Sequence, residues 1–104
     1  MTDQTFNELV AGMRASQRRY FRTRTDQAKR ESIVLEQAVD EALKVPEPTE
    51  FHKTVQRMRT AQVRYFKTLS PMVKSQAIAI EKIIDEHLAT IVPDENGMIQ
   101  QELF

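Results

Sequence analysis

The chain has 104 residues, and its 15 basic and 15 acidic side chains give a formal net charge of zero. This length provides for one domain, residues 1–104, with a single modest hydrophobic core. The absence of cysteine excludes disulfides and thiolate metal sites, and two glycines and four prolines beside many good helix formers favour an all-α fold.

The N-terminal stretch MTDQTFNEL is polar and acidic, unlike the basic and then apolar start of a signal peptide. No apolar run approaches the roughly 20 residues that span a bilayer. We therefore expect a soluble cytoplasmic protein without membrane association.

The first predicted helix covers residues 4–23. Its apolar stripe has helical spacings of four and three, widened by Leu9 and Phe21, and consists of Phe6, Val10, Met13, Gln17 and Tyr20. A second helix is predicted over residues 26–44, with Thr25 as its N-cap. Its stripe is Ala28, Ser32, Leu35, Val39, Ala42 and Leu43.

The linker at residues 45–50, VPEPTE, stops the second helix with two prolines, and Thr49 is a suitable N-cap for the next. Residues 51–88 then repeat residues 6–43 without a gap, which predicts helices over 50–68 and 71–90. Ser70 and Pro71 fit the N-cap and first positions of the last helix. Identical pairs include Phe6/Phe51, Met13/Met58, Arg14/Arg59, Gln17/Gln62, Tyr20/Tyr65, Phe21/Phe66, Glu36/Glu81 and Asp40/Asp85.

Each of the two tandem helical hairpins would alone leave its apolar stripe half exposed. The two stripes are best buried against each other. We therefore predict an antiparallel four-helix bundle with pseudo-twofold symmetry and with Met13, Met58, Leu35 and Ile80 buried. The C-terminal tail, residues 93–104, has a turn signal in Asn96-Gly97 and is either a loose end or a short docked segment.

Four aromatic residues, Tyr20, Phe21, Tyr65 and Phe66, lie one turn before the hairpin bends. Their spacing places them on the core side, so that they close one end of the core. The alternative is base stacking flanked by arginines, as in single-strand binders, which needs exposed rings.

Polar residues repeat within or beside the stripes as well. Arg14 lies level with about Glu36 across the first hairpin, and Arg59 with Glu81, so we expect inter-helix salt bridges there. Gln17 and Gln62 are suited to hydrogen-bond to each other or to the backbone and so to fix the register.

The charges are strongly segregated along the chain. Residues 14–30 and 57–74 contain twelve of the 15 Lys and Arg residues and one acid, Asp26. An up-down-up-down bundle brings these segments to one basic end, opposite an acidic one. Such an end is either a solvated surface or a site for self-association, an acidic protein or nucleic-acid phosphate. The candidate interaction patch consists of Arg18, Arg19, Arg22, Arg24, Arg64 and Lys67.

No catalytic or metal-binding constellation stands out in the sequence. His52 and His87 have no counterparts in the other repeat and lack the spacing from glutamates that a di-iron bundle needs. No phosphate-binding loop or nucleophile motif is present. We expect no cofactor and no enzymatic activity.

The segments MRASQRRYFRTR (13–24) and MRTAQVRYFKTL (58–69) carry a further signal. They resemble a group of short, uncharacterised helical proteins of phages and mobile elements of gut bacteria, which share a Met-Arg-x-Ala-Gln-x-x-Tyr-Phe-Lys-Thr-Arg-like segment. Ser16 and Leu69 depart from that pattern. The resemblance implies the fold and the origin, and raises the expectation of host-protein or nucleic-acid binding. The sequence thus predicts a protein–protein interaction module, whose partner is another protein or a second copy of the chain, with a nucleic-acid accessory protein as the alternative.

Overall fold

The computed structural model describes residues 3–91, which form four helices. They are α1 (Asp3–Thr23), α2 (Asp26–Ala42), α3 (Glu50–Thr68) and α4 (Pro71–Ile91). The predicted all-α class is confirmed, and each helix boundary falls within two residues of its expected position. The predicted C-terminal tail lies outside the described residues. No helix between residues 3 and 91 combines the length and apolarity needed to cross a membrane.

The two hairpin turns are built alike, as the repeat predicts. Arg24 and Leu69 take left-handed backbone conformations, with φ of 56° and 54°. Their N–H groups donate to the carbonyls of Tyr20 and Tyr65, each at 2.7 Å. The N-caps follow directly: the Thr25 hydroxyl accepts from the Ala28 N–H at 3.2 Å, and the Ser70 hydroxyl from the Val73 N–H at 3.4 Å. Each chain reversal is therefore specified locally.

The link between the hairpins ends α2 and starts α3. Leu43 is the C-cap of α2, and Thr49 is the N-cap of α3 in a capping box with His52. The His52 ring nitrogen Nδ1 lies 3.3 Å from the Thr49 backbone nitrogen, and the Thr49 hydroxyl accepts from the His52 N–H at 3.2 Å. A histidine thus takes the place that Glu or Gln usually has in this motif.

Contacts between equivalent residues define the bundle. Helix α1 packs against α2, α3 against α4, and α1 also contacts α4. The Phe6 ring lies edge-on to Phe51 with centroids 5.9 Å apart, while Gln17 and Gln62 bond to each other eleven residues further along. Because both pairs join α1 to α3 at matching positions, these helices run parallel and both hairpin turns lie at the same end.

The hydrophobic core lies between the two hairpins. Its buried members are Phe6, Val10, Met13, Val39, Val55, Met58, Ile84 and Leu88. Met13 and Met58 have no exposed surface, as expected, whereas Leu35 and Ile80 are only partly buried at its margin. The apolar stripes of the two hairpins therefore pack against each other within a single chain.

Candidate interaction surface at the hairpin turns

A polar layer with twofold-related hydrogen bonds supports the turn end of the bundle. The amide nitrogens of Gln17 and Gln62 each donate to the other side chain's oxygen, both at 3.2 Å. Gln17 also donates to Glu36 at 2.8 Å, and Gln62 to Glu81 at 2.6 Å. The predicted contact between the two glutamines is confirmed, and it joins the hairpins at their symmetry axis.

The predicted salt-bridge partners of the repeated arginines Arg14 and Arg59 are wrong. Arg14 binds Asp85 through two nitrogens, at 2.8 and 3.0 Å, instead of Glu36. Arg59 binds Asp40 in the same way, at 2.7 and 3.1 Å, instead of Glu81. Glu36 and Glu81 are occupied by the glutamines, and the arginines are buried at the interface with the other hairpin. These ion pairs therefore hold the hairpins together.

Two of the six candidate basic residues are engaged by carboxylates. Arg18 lies 3.3 Å from Asp85, and Arg19 pairs with Glu31. Burial lowers the pKa of Arg18, an effect that the Asp85 charge opposes and the Arg14 charge reinforces. Arg18 is therefore part of the inter-helix contacts of the bundle, whereas Arg19 is paired but still exposed at the surface.

The other four candidates are exposed. Arg24 covers the aromatic rings of its own turn, with its guanidinium carbon 5.6 Å from the Tyr20 centroid and 5.1 Å from that of Phe21. Arg64 and Lys67 border a shallow groove of about 570 Å³ between α2 and α3. Neither has a carboxylate within salt-bridge distance in the part of the chain that the structure describes. The six residues thus do not form one uniform patch.

The aromatic residues also divide in two. Tyr20 and Tyr65 are partly buried, but Phe21 and Phe66 are 53% and 66% exposed, so the expectation that all four rings close the core is wrong for the phenylalanines. The tyrosines continue the stripe spacing from Gln17 and Gln62, whereas each phenylalanine lies one position, about 100°, further around its helix.

The two turns differ most in their exposed side chains. Phe66 is followed by Leu69 and Met72, which are 67% and 68% exposed, and is preceded by the exposed Val63. The equivalent residues of the first turn are Arg18, Phe21, Arg24 and Gln27. We call the set Val63, Phe66, Leu69 and Met72 the apolar turn. Three of its four residues, Val63, Leu69 and Met72, lie at positions where the repeats differ, so the identities between the repeats do not indicate it.

The histidines have structural surroundings. His52 is buried and stacks on Phe6 with centroids 4.2 Å apart, and His87 packs against Phe51 at 4.8 Å. Within residues 3–91 no group of His, Asp and Glu side chains is arranged to hold a metal ion. No family model matches this chain, and comparisons with curated proteins and with solved structures find no significant match.

Proposed function

We propose that this chain is a non-enzymatic protein-interaction module that binds its partner through the apolar turn. The observation that carries the proposal is the divergence of the turns on an otherwise symmetric scaffold. In the first turn the Arg24 guanidinium lies over the Phe21 ring, whereas the equivalent residue of the second turn, Leu69, is apolar and exposed, as is Met72. Large exposed apolar side chains grouped at one place mark interaction sites.

The surroundings of the apolar turn indicate the chemistry of the partner. Arg64 and Lys67 lie on the same turn of α3, and Lys74 follows on α4 with its ammonium group 5.9 Å from the Tyr65 ring centroid. A surface with an apolar centre and a basic rim complements a protein segment that presents apolar side chains beside Asp or Glu. Self-association turn to turn would oppose like charges.

Photo-crosslinking tests the site directly. With p-benzoylphenylalanine replacing Phe66, irradiation of cells that naturally make this protein should yield a discrete adduct with a second protein. Replacement of Val34, an equally exposed apolar residue on α2, should yield none. The substitution pair Leu69→Arg/Met72→Gln should abolish the adduct at position 66.

That variant is expected to fold. Arg24 already adopts the left-handed conformation in the equivalent turn, and the replaced side chains make little buried contact. An adduct that persists in Leu69→Arg/Met72→Gln would refute the apolar turn as the binding surface. An adduct of twice the chain mass would identify a second copy as the partner.

A nucleic-acid-binding accessory protein is the second candidate, favoured by the exposure of Arg22, Arg64, Lys67 and Phe66. Six phosphate contacts would make the affinity for duplex DNA fall about 10³-fold or more between roughly 50 and 200 mM salt. Because Arg18 and Arg19 are held by carboxylates, we expect at most weak, nonspecific binding. Fluorescence anisotropy with labelled single- and double-stranded DNA and RNA measures it.

The matched variant for this experiment is Arg22→Glu/Arg64→Glu/Lys67→Glu, which changes exposed residues only and leaves the ion pair between Arg18 and Asp85 intact. Submicromolar binding at about 150 mM salt that this variant loses would establish the second candidate in place of the first. Weak binding that disappears at moderate salt in the unmodified chain would leave the protein-interaction proposal standing.

A further inference from the structure

Helix α4 has apolar side chains on two faces. The face that is buried in the bundle consists of Val73, Ala77, Ile84 and Leu88. The second face includes Ala79 and Ile83, which lie one helical turn apart and are both exposed, Ile83 by 58%. Because a helix that is apolar on several sides is usually covered on several sides, the second face is a candidate contact surface.

The second face of α4 borders a groove of about 460 Å³ between α3 and α4, on the outside of the second hairpin. Its apolar lining includes Ala61 from α3 and Ala79 and Ile80 from α4, and Arg57 and Arg64 from α3 add two positive charges. Within the part of the chain that the structure describes, neither guanidinium group has a carboxylate within salt-bridge distance. The groove thus combines apolar contact with positive charge that no acid neutralises from these helices.

The equivalent surface of the first hairpin is built differently. There Arg19 of α1 forms an ion pair with Glu31 of α2. The equivalent residues of the second hairpin are Arg64 and Gln76, so this hairpin keeps the base and lacks the acid. Its Arg64 is therefore suited to a carboxylate that comes from elsewhere.

An exposed acid on the same helix face as Ala79 has the matching charge. Glu86 lies seven residues after Ala79, which is about 20° around the helix, and between residues 3 and 91 no base lies within salt-bridge distance of it. Helices α3 and α4 are antiparallel about the turn at residues 69–70, so Arg64 lies level with about Ser75. Because Glu86 is about 16 Å further along α4, the two charges are too far apart to pair within one chain.

Two copies of α4 that pack antiparallel bring these charges together. A twofold axis between Ala79 and Ile80 places Glu86 of one copy level with Val73 of the other, within about 3 Å of Arg64 along the helix direction. The twofold symmetry makes the contact reciprocal, so that two such ion pairs form. The antiparallel arrangement also opposes the two helix dipoles, which favours it further.

We propose that two copies of this chain form a twofold-symmetric dimer through their α3–α4 grooves, with the two α4 helices antiparallel. Ala79 and Ile83 of each copy cover those of the other, and Glu86 of each copy pairs with Arg64 of the other. Such an interface closes at two copies, because each copy uses the same surface. Its centre lies about 11 Å along α4 from Met72 of the apolar turn, so this inference is independent of the proposed function.

Sedimentation equilibrium of the full chain tests the dimer. The unmodified chain, of 12.1 kDa, should show twice that mass at about 100 μM. Ile83→Lys should reduce the mass to that of one chain, whereas Val34→Lys, at a similarly exposed apolar position on α2, should leave the dimer intact. The mass of one chain for the unmodified protein up to about 1 mM, or a dimer that persists in Ile83→Lys, would overturn the proposal.

Reversal of one charge at a time tests the reciprocal ion pairs. Arg64→Glu and Glu86→Arg should each weaken the dimer about tenfold or more, because each creates two like-charged pairs across the axis. Both positions are exposed, so both variants should fold. An equimolar mixture of the two variants should recover the affinity of the unmodified chain, since both pairs of the mixed dimer again have opposite charges. A mixture that associates no more tightly than either variant alone would contradict the proposal.

Discussion

Truncation of Met58 to alanine is expected to lower the free energy of unfolding by about 2–5 kcal/mol. Met58 has no exposed surface and lies in the core between the hairpins, so its removal leaves a cavity at the docking interface. Its repeat equivalent, Met13, is equally buried and should show a similar loss. Urea denaturation followed by circular dichroism measures both, against a total stability on the order of 5–15 kcal/mol.

Met72 provides the matched control, because it is a methionine of the second hairpin that is 68% exposed. Met72→Ala should change the free energy of unfolding by no more than about 0.5 kcal/mol. A loss below about 1 kcal/mol at both Met13 and Met58 would show that the two hairpins do not share this core.

The second large effect is expected for Asp85→Ala. Asp85 accepts both hydrogen bonds from Arg14 and lies 3.3 Å from Arg18, and the two arginine side chains are only 6% and 15% exposed. Removal of the carboxylate leaves two largely buried positive charges without their nearest partner. We expect a loss of about 3 kcal/mol in the free energy of unfolding, measured by urea denaturation.

Asp40→Ala is the control by symmetry. Asp40 makes the equivalent contact with Arg59, but its side chain is 46% exposed and it binds a single arginine. Solvent screening reduces the expected loss to about 1 kcal/mol. Equal losses for Asp40→Ala and Asp85→Ala would contradict the role assigned to Arg18.

The helices, their caps and the pairing of the hairpins were predictable from the sequence, because each rests on a local or repeated signal. Thr25, Thr49 and Ser70 have the side chains that N-caps require, and the structure uses all three. The contact between Gln17 and Gln62 followed from two polar residues at equivalent places in an apolar stripe. Because of the duplication, the signals of the first hairpin occur again in the second.

The side-chain pairs and the exposure of the phenylalanines were not predictable in the same way. Sequence spacing places Glu36 level with Arg14 within one hairpin, but it carries no information on which carboxylate faces Arg14 from the other hairpin. The carboxylate partner depends on how the two hairpins dock. In the docked bundle Arg14 donates to Asp85, and Glu36 accepts from Gln17. Phe21 lies at the edge of its stripe, where a rotation of the helix decides between burial and exposure.

The sequence predicted a basic patch near the turns, and the structure divides its six residues between ion-paired and exposed side chains. The concentration of arginines near both turns predicts a charged surface. In the structure Arg18 pairs with Asp85 and Arg19 with Glu31. The structure, and not the sequence pattern, shows that the apolar residues Leu69 and Met72 are exposed. The proposed binding surface lies where the repeats differ and not where they are identical.

Exchange of the turns tests the central claim, that an asymmetric binding surface is placed on a symmetric bundle. The fourfold variant Arg24→Leu/Gln27→Met/Leu69→Arg/Met72→Gln exchanges the pairs 24/69 and 27/72 between the two turns and leaves Arg18 and Val63 in place. With p-benzoylphenylalanine at position 21 or 66, the crosslinked partner should move from position 66 in the unmodified chain to position 21 in the variant. A partner that stays at position 66 after the exchange would contradict the account.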